Sequence, residues 1–302
     1  MSTPSTSEYV RGSLYGLATV SIWVSWIVAA RLGLRTSLTA WDITAIRCGV
    51  SGLILLPFLL KVGVPARRLG GLGLAAIVLG GGAPMVLVSY AGLQFAPAAH
   101  AASLFTALIP LLVAILAAVV LGESFTVAKQ IGLALIVIGA FVIVGGAGGT
   151  IGSPQNIGHA LFISAAMLWA CYTVAMRKAR LEGLHAAAIA AVGSLITFVP
   201  AYAIISGVSL FNAPWRDIAL QALVQGFLTP IISYWLYGRA VSILGASSGS
   251  AFAALSPAMT AIVSIPLLGE WPATSDWIAI LLISGGVYVA SGGLASARRA
   301  GH

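Results

Sequence analysis

Residues 98–146 read AAHAASLFTALIPLLVAILAAVVLGESFTVAKQIGLALIVIGAFVIVGG, and residues 245–293 read GASSGSAFAALSPAMTAIVSIPLLGEWPATSDWIAILLISGGVYVASGG. Laid over each other at a constant offset of 147, they bring Ser103 onto Ser250, Phe105 onto Phe252 and Pro110 onto Pro257. The same offset brings Leu121-Gly122-Glu123 onto Leu268-Gly269-Glu270 and Gly145-Gly146 onto Gly292-Gly293, without a gap. A long apolar stretch that returns in this way marks a membrane protein built from internal repeats. The duplication extends outward: Gly12, Trp23, Val28, Ala29 and Arg31 meet Gly158, Trp169, Val174, Ala175 and Arg177 at an offset of 146, and Tyr90 meets Tyr237 at 147.

Composition agrees. The chain has 302 residues, of which 60% are hydrophobic and 7% charged, with a mean hydropathy of +1.05. This is an integral membrane protein with no room for a soluble domain. Long apolar runs with short polar breaks indicate helices, since a β-barrel would alternate apolar and polar residues. The net charge of +8 does not point to nucleic acid, because the basic residues stand singly or in twos and threes at helix ends. Cys48 and Cys171 sit inside apolar segments as small buried side chains, so neither a disulfide framework nor a metal site is expected. The Ser/Thr-rich start, MSTPSTSEYVRGS, reads as a polar tail leading into a retained first helix.

Runs of about 20 apolar residues give about ten spans, expected at 13–30, 41–60, 70–95, 98–121, 126–146, 157–176, 185–206, 217–243, 246–268 and 275–295. The fold class is therefore all-α, with residues 1–146 as an N-terminal five-helix repeat, 147–156 (AGGTIGSPQN) as the linker and 157–302 as a C-terminal five-helix repeat. An odd number of helices per repeat makes the second enter the membrane upside down relative to the first. With a cytoplasmic N-terminus, that side receives Arg11, Lys61, Arg67, Arg68, Lys129, Arg177, Lys178, Arg180, Arg239, Arg298 and Arg299; the other keeps Arg31, Arg35, Arg47 and Arg216. This bias predicts that both termini are cytoplasmic.

The residues available for chemistry are few. The seven acids, Glu8, Asp42, Glu123, Glu182, Asp217, Glu270 and Asp276, lie at or near expected helix ends, and His100, His159, His185 and His302 have no ligand spacing. No hydrolytic dyad, zinc motif or phosphate loop is present. No enzyme activity, cofactor, metal or nucleic-acid partner is expected. Gly80-Gly81-Gly82 and Gly285-Gly286 read as sites of close helix packing.

Aromatic and hydroxyl groups remain inside the membrane. Thr19, Trp23 and Trp26 share a helix face, and Trp169 with Tyr172 forms the matching pair. Trp26 and Tyr172 lie nearer their helix ends and fit an interfacial belt. Trp23 and Trp169 lie deeper and recur by repeat, as do Tyr90 and Tyr237, whose hydroxyls need partners or water at depth; these four are the expected walls of a substrate cavity. Ser103, Ser250 and His100 are further candidates to touch substrate. Pro110 and Pro257 lie within spans, where each removes a backbone donor, and are expected hinges beside a wet cavity or static kinks. Glu123 and Glu270, each after Leu-Gly, are expected to favour the N-termini of the helices that follow them. Arg47 and Arg239 read as helix-end residues, leaving a core poor in fixed charge.

At these positions the sequence resembles the EamA-type family of the drug/metabolite transporter superfamily. The resemblance is carried by ASLFTALIPLLVAILAAVVLGES and SGSAFAALSPAMTAIVSIPLLGEW, by the glycine-punctuated helices after them, and by SIWVSWIVAAR and LWACYTVAMRK. Within that family the chain is similar to YddG-type amino-acid exporters, among whose substrates aromatic amino acids are prominent. The resemblance implies a central cavity and alternating-access export of small zwitterionic metabolites from the cytoplasm across a bacterial inner membrane. A zwitterion with an aromatic side chain suits stacking surfaces and a few hydroxyl partners. Export of another small metabolite or drug, a non-transporting scaffold and a passive pore are the rival readings. The expected partners are the bilayer and a small-molecule substrate, and the chain is compatible with a monomer.

Overall fold

The computed structural model describes residues 6–146, 153–207, 209–245 and 251–292, and every regular element among them is helical. Ten apolar spans follow in order: α1 (Thr6–Gly33), α2 (Ala40–Val62), α3 (Ala66–Phe95), α4 (Ala98–Leu121), α5 (Val127–Gly146), α6 (Pro154–Lys178), α7 (Gly183–Ser206), α8 (Trp215–Leu244), α9 (Phe252–Leu268) and α10 (Thr274–Ala290). The first eight are long and apolar enough to cross a bilayer, and α9 and α10 are shorter. Exposed apolar side chains such as Leu60, Leu72, Phe141, Ile204 and Leu281 cover the outside, as a lipid-facing surface requires.

The helices differ from the expected spans mainly at their ends. α1 begins at Thr6, a turn or two earlier than hydropathy suggests, because backbone hydrogen bonds carry a helix past the point where apolar residues stop. α6 begins at Pro154, inside the expected linker; proline suits a first helical position, where its missing donor costs nothing. Residues 147–152 of that linker, residues 246–250 of the expected ninth span and Gly293 lie outside the described residues.

The inversion is written into one contact. α5 and α10 pack along each other over much of their length. A Cβ on Gly132 would stand 2.6 Å from the Gly286 carbonyl, and one on Gly139 would stand 3.0 Å from the Ala279 carbonyl. The offset of 147 turns the first contact into the second, since 132 becomes 279 and 139 becomes 286. Moving forward on α5 moves backward on α10, so the helices run antiparallel, and the two-fold operation that exchanges them has its axis in the membrane plane. Glycine is needed here because any side chain would separate the backbones. Of the expected packing glycines, Gly286 takes this part, whereas a Cβ on Gly285 would meet nothing within 4 Å.

Candidate substrate crevice and its two closures

Two helices at the centre of the bundle are interrupted. α3 breaks at Gly82, whose backbone is extended (φ −106°, ψ −153°). A Cβ there would strike Ser194 Oγ and the Val78 carbonyl. The break frees the Ala83 amide, which donates to Ser194 Oγ on α7 at 2.9 Å. α8 widens into a π-helical coil over Ala222–Ile232 that contains Pro230, and Thr229 Oγ1 donates to the Val224 carbonyl at 2.7 Å. At the offset of 147, Gly82 corresponds to Thr229, beside that proline. Interruptions at matching positions of two inverted halves are where transporters of this architecture build their sites.

Between the two breaks lies a crevice lined from α2 by Arg47, Cys48 and Ser51, from α3 by Gly81 and Gly82, and from α6 by Trp169 and Tyr172, with α7 and α8 closing it. It spans about 380 Å³ of interatomic space, mouth included, yet leaves room for only a water or two. The rings of Trp169 and Tyr172 are 5.0 Å apart at their centroids. Tyr172 is 2% exposed and its hydroxyl has no hydrogen-bond partner.

Ion pairs stand at both ends of the bundle. After α4 and α9, Gly122 (φ 69°) and Gly269 (φ 65°) stop the helix in the left-handed conformation and turn the next residue, a glutamate, off the helix axis. Glu270 accepts from Arg31 Nε at 2.7 Å, from Arg35 Nη2 at 2.9 Å and from the Ala98 amide at 2.8 Å. Arg31 also donates to the Leu93 carbonyl, and Arg35 to the Leu268 carbonyl at 2.6 Å. Among the described residues, Glu123 pairs with Arg177 alone. α4 begins at the amide bound to Glu270 and ends two residues before Glu123, so its 24 residues place the two pairs roughly 36 Å apart. Each pair joins an arginine of one repeat to a glutamate of the other, and the two-fold operation exchanges them. The expected helix-dipole role is thus not where these carboxylates bond: each precedes the next helix by several residues and meets a guanidinium instead.

His100, on the first turn of α4, adds a second layer at the Glu270 end. Its Nδ1 lies 2.9 Å from His159 Nε2 and 3.1 Å from Gln155 Nε2. Its Nε2 lies 3.2 Å from Asp276 Oδ1, a charge-pairing distance with an angle short of a hydrogen bond. A proton on Nε2 would face the Asp276 carboxylate and leave the single lone pair of Nδ1 for His159 Nε2 and Gln155 Nε2 to share. Asp276 also accepts from the Ala273 amide at the start of α10 at 2.8 Å.

Of the side chains singled out in the sequence, Trp169 forms part of the crevice wall. Tyr90 is fully buried; its hydroxyl donates to Gln225 Oε1 at 2.8 Å and accepts from Trp26 Nε1 at 3.1 Å. Trp26 is therefore buried rather than interfacial. Trp23 and Tyr237 are half-buried and face each other across α1 and α8, with ring centroids 5.8 Å apart. Ser103 is buried with an unpartnered hydroxyl, and Ser250 lies outside the described residues. Pro110 and Pro257 each open a regular α-helical segment, after a π turn at Ala102–Thr106 and a 3₁₀ turn at Phe252–Leu255. The irregularity therefore precedes the proline.

Three polar residues escape a reading by hydropathy. Gln221 and Gln225 of α8 are fully buried and donate to the Ala29 and Trp26 carbonyls of α1 at 2.7 and 2.9 Å. Arg47 is 9% exposed, and its Nη1 has no hydrogen-bond partner. The expectation that it sits at a helix end is corrected: α2 starts at Ala40, so Arg47 lies about 10 Å, two turns, inside the helix.

The EamA-like transporter family matches residues 10–145 and again residues 156–292. The chain is 27% identical over 273 residues to the "Uncharacterized transporter YyaM" of Bacillus subtilis (strain 168), covering 85% of this chain and 84% of the relative. It is 30% identical over 259 residues to the "Probable terminal-alkyne amino-acid exporter" of Streptantibioticus cattleyicolor, covering 84% of each. A crystal structure described only as that of a protein superposes with a TM-score of 0.57 at 19% identity, covering 92% of this chain and 95% of the other, a likeness of fold alone.

Proposed function

The chain belongs to the EamA-like transporter family, which makes it a multi-pass membrane transporter and not an enzyme, and on that premise we propose that it exports small zwitterionic metabolites, amino acids including aromatic ones, by alternating access. The observation that carries this reading is the pair of exchangeable closures, Arg31–Glu270 and Arg177–Glu123, with a crevice between them. Inverted halves can trade conformations, so opening one end and closing the other uses the same contacts in exchanged roles. Residues 1–146 and 157–302 are the rocking units. The excess of Lys and Arg supports cytoplasmic termini, and the family resemblance supports a bacterial inner membrane as the location. The well-bonded Glu270 closure then faces outward.

Amino acids as cargo are favoured by the aromatic wall at Trp169 and Tyr172 and by the relative named as an amino-acid exporter. Trp23, Tyr90, Tyr237, His100, Ser103 and Ser250 complete the proposed path, with Pro110 and Pro257 at its hinges. The test is counterflow in proteoliposomes: unlabelled phenylalanine inside should drive saturable uptake of labelled phenylalanine. A scaffold would show no flux and a pore no saturation. Impermeant labelling of Gly149→Cys in intact cells checks the orientation, since that position should face the periplasm.

A further inference from the structure

The crevice holds a charge with nothing to neutralise it. Arg47 is nine-tenths buried at membrane depth, and its Nη1 lacks any hydrogen-bond partner. Glu270, Glu123 and Asp276 lie within ion-pair distance of Arg31, Arg35, Arg177 and His100. None reaches Arg47. The nearest acid on its own helix, Asp42, is held by Thr39 and Tyr202. The helices packed against α2 bring neutral groups: Tyr90 from α3, Ser194 from α7 and Tyr234 from α8, while Cys48 lies beside it in sequence. A guanidinium cannot shed its proton to escape burial. Its isolation inside a bilayer is costly, and such residues mark substrate or ion pathways.

We propose that Arg47 is the carboxylate anchor of the transport site, completing its charge with the substrate's own carboxylate while the Trp169 and Tyr172 rings take the side chain. The planar fork of donors matches a carboxylate in bidentate fashion. The interrupted backbones at Gly82 and Pro230 line the same crevice. The groups around Arg47 are neutral, so a bound carboxylate would be the counter-charge that the guanidinium otherwise lacks. The inference rests on the transporter reading above, but it commits to more: cargo is recognised by its negative end.

Equilibrium binding to the purified full chain tests it with phenylalanine, 3-phenylpropionate, which keeps the carboxylate and lacks the amine, and phenylalaninamide, which keeps the amine and lacks the carboxylate. The wild type should bind phenylalanine and the acid more tightly than the amide. Arg47→Gln should weaken the two carboxylates about tenfold to a hundredfold, the scale of a charge-assisted hydrogen bond, and leave the amide unchanged. Arg47→Lys should fall between them, because an ammonium keeps the charge and loses the fork. Thermal melting separates recognition from architecture: removing an unpaired buried charge should leave the melting temperature of Arg47→Gln equal or higher, whereas a structural arginine would lower it. If the wild type binds phenylalanine and Arg47→Gln binds it equally well, or weakens acid and amide alike, the anchor is wrong while the export reading stands. If the wild type binds neither acid nor amide, both fall.

Discussion

At one end of the bundle a glutamate is gripped by two guanidinium groups and a backbone amide; at the other, its repeat partner meets one guanidinium in the open. Glu270 and Arg31 are 13% and 20% exposed, Glu123 and Arg177 33% and 41%. The motifs that build the two closures are alike, so the difference comes from their neighbours. Arg35, the second grip on Glu270, corresponds by repeat to Leu181, which packs into an apolar cluster instead. The Ala98 amide corresponds to that of Gly245, which is already spent on the Val241 carbonyl. His159 and Asp276 correspond to Ser13 and Lys129, so the titratable layer behind Glu270 has no counterpart. Two halves with one plan have been made unequal by a few side chains, and in the proposed alternating-access cycle unequal closures bias which end stays shut.

The largest effect should follow from removing the better-held carboxylate. Glu270→Gln leaves Arg31 and Arg35 without a counter-charge and should shift the balance toward opening by about 2 kcal/mol, roughly thirtyfold in the open-to-closed ratio. Placed in a Cys48→Ala, Cys171→Ala background, a Ser103→Cys reporter between that end and the crevice should react with an impermeant thiol reagent about thirtyfold faster; an unchanged rate would remove Glu270 from gating. His100→Gln comes next. It separates α4 from Asp276 and His159 but leaves Asp276 its bond to the Ala273 amide, so about 1 kcal/mol, a fivefold faster reaction, is expected. A larger effect than that of Glu270→Gln would make the histidine layer the main seal.

Arg35→Leu copies the other end onto this one. With Arg31 still in place and Arg35 half-exposed, it should cost about 0.5 kcal/mol and speed labelling two- to threefold. Smallest is Glu123→Gln, whose exposed pair should be worth between 0 and about 1 kcal/mol. Measured at Ala187→Cys on the crevice wall, the change should stay within about fivefold; equality with Glu270→Gln would show the two closures to be equivalent and the asymmetry without consequence.

Much of this was legible in pieces. The repeat placed Arg31 on Arg177 and Glu123 on Glu270, and an inversion that exchanges the halves requires crossed pairs, arginine of one half with glutamate of the other. Reading each acid against its own following helix hid that pairing, because the helix dipole acts locally and the partner is 239 residues away in the Arg31–Glu270 case. Arg47 was obscured by a boundary: with α2 taken to start near residue 41, a cation six positions in passes for a helix-end residue. The better signal was the matched interruption, Gly80-Gly81-Gly82 with Pro84 in α3 and Thr229-Pro230 in α8, which points to the crevice without any contact being known.

By itself the sequence determined a membrane protein of ten helices in two inverted repeats, because hydropathy, helix count and duplication are local or periodic properties written along the chain; transport entered through the motifs shared with a transporter family. It also placed aromatic residues at depth, though not which of them face a cavity. Only the tertiary structure decided that Trp169 lines the crevice, that Tyr90 and Trp26 are tied to Gln225, that Arg47 is left without a counter-charge and that one closure is better made than the other. A side chain's partner depends on how helices are rotated about their axes and on where backbone breaks re-aim them. Contacts between residues far apart in the chain set those rotations, and no window along the sequence contains them.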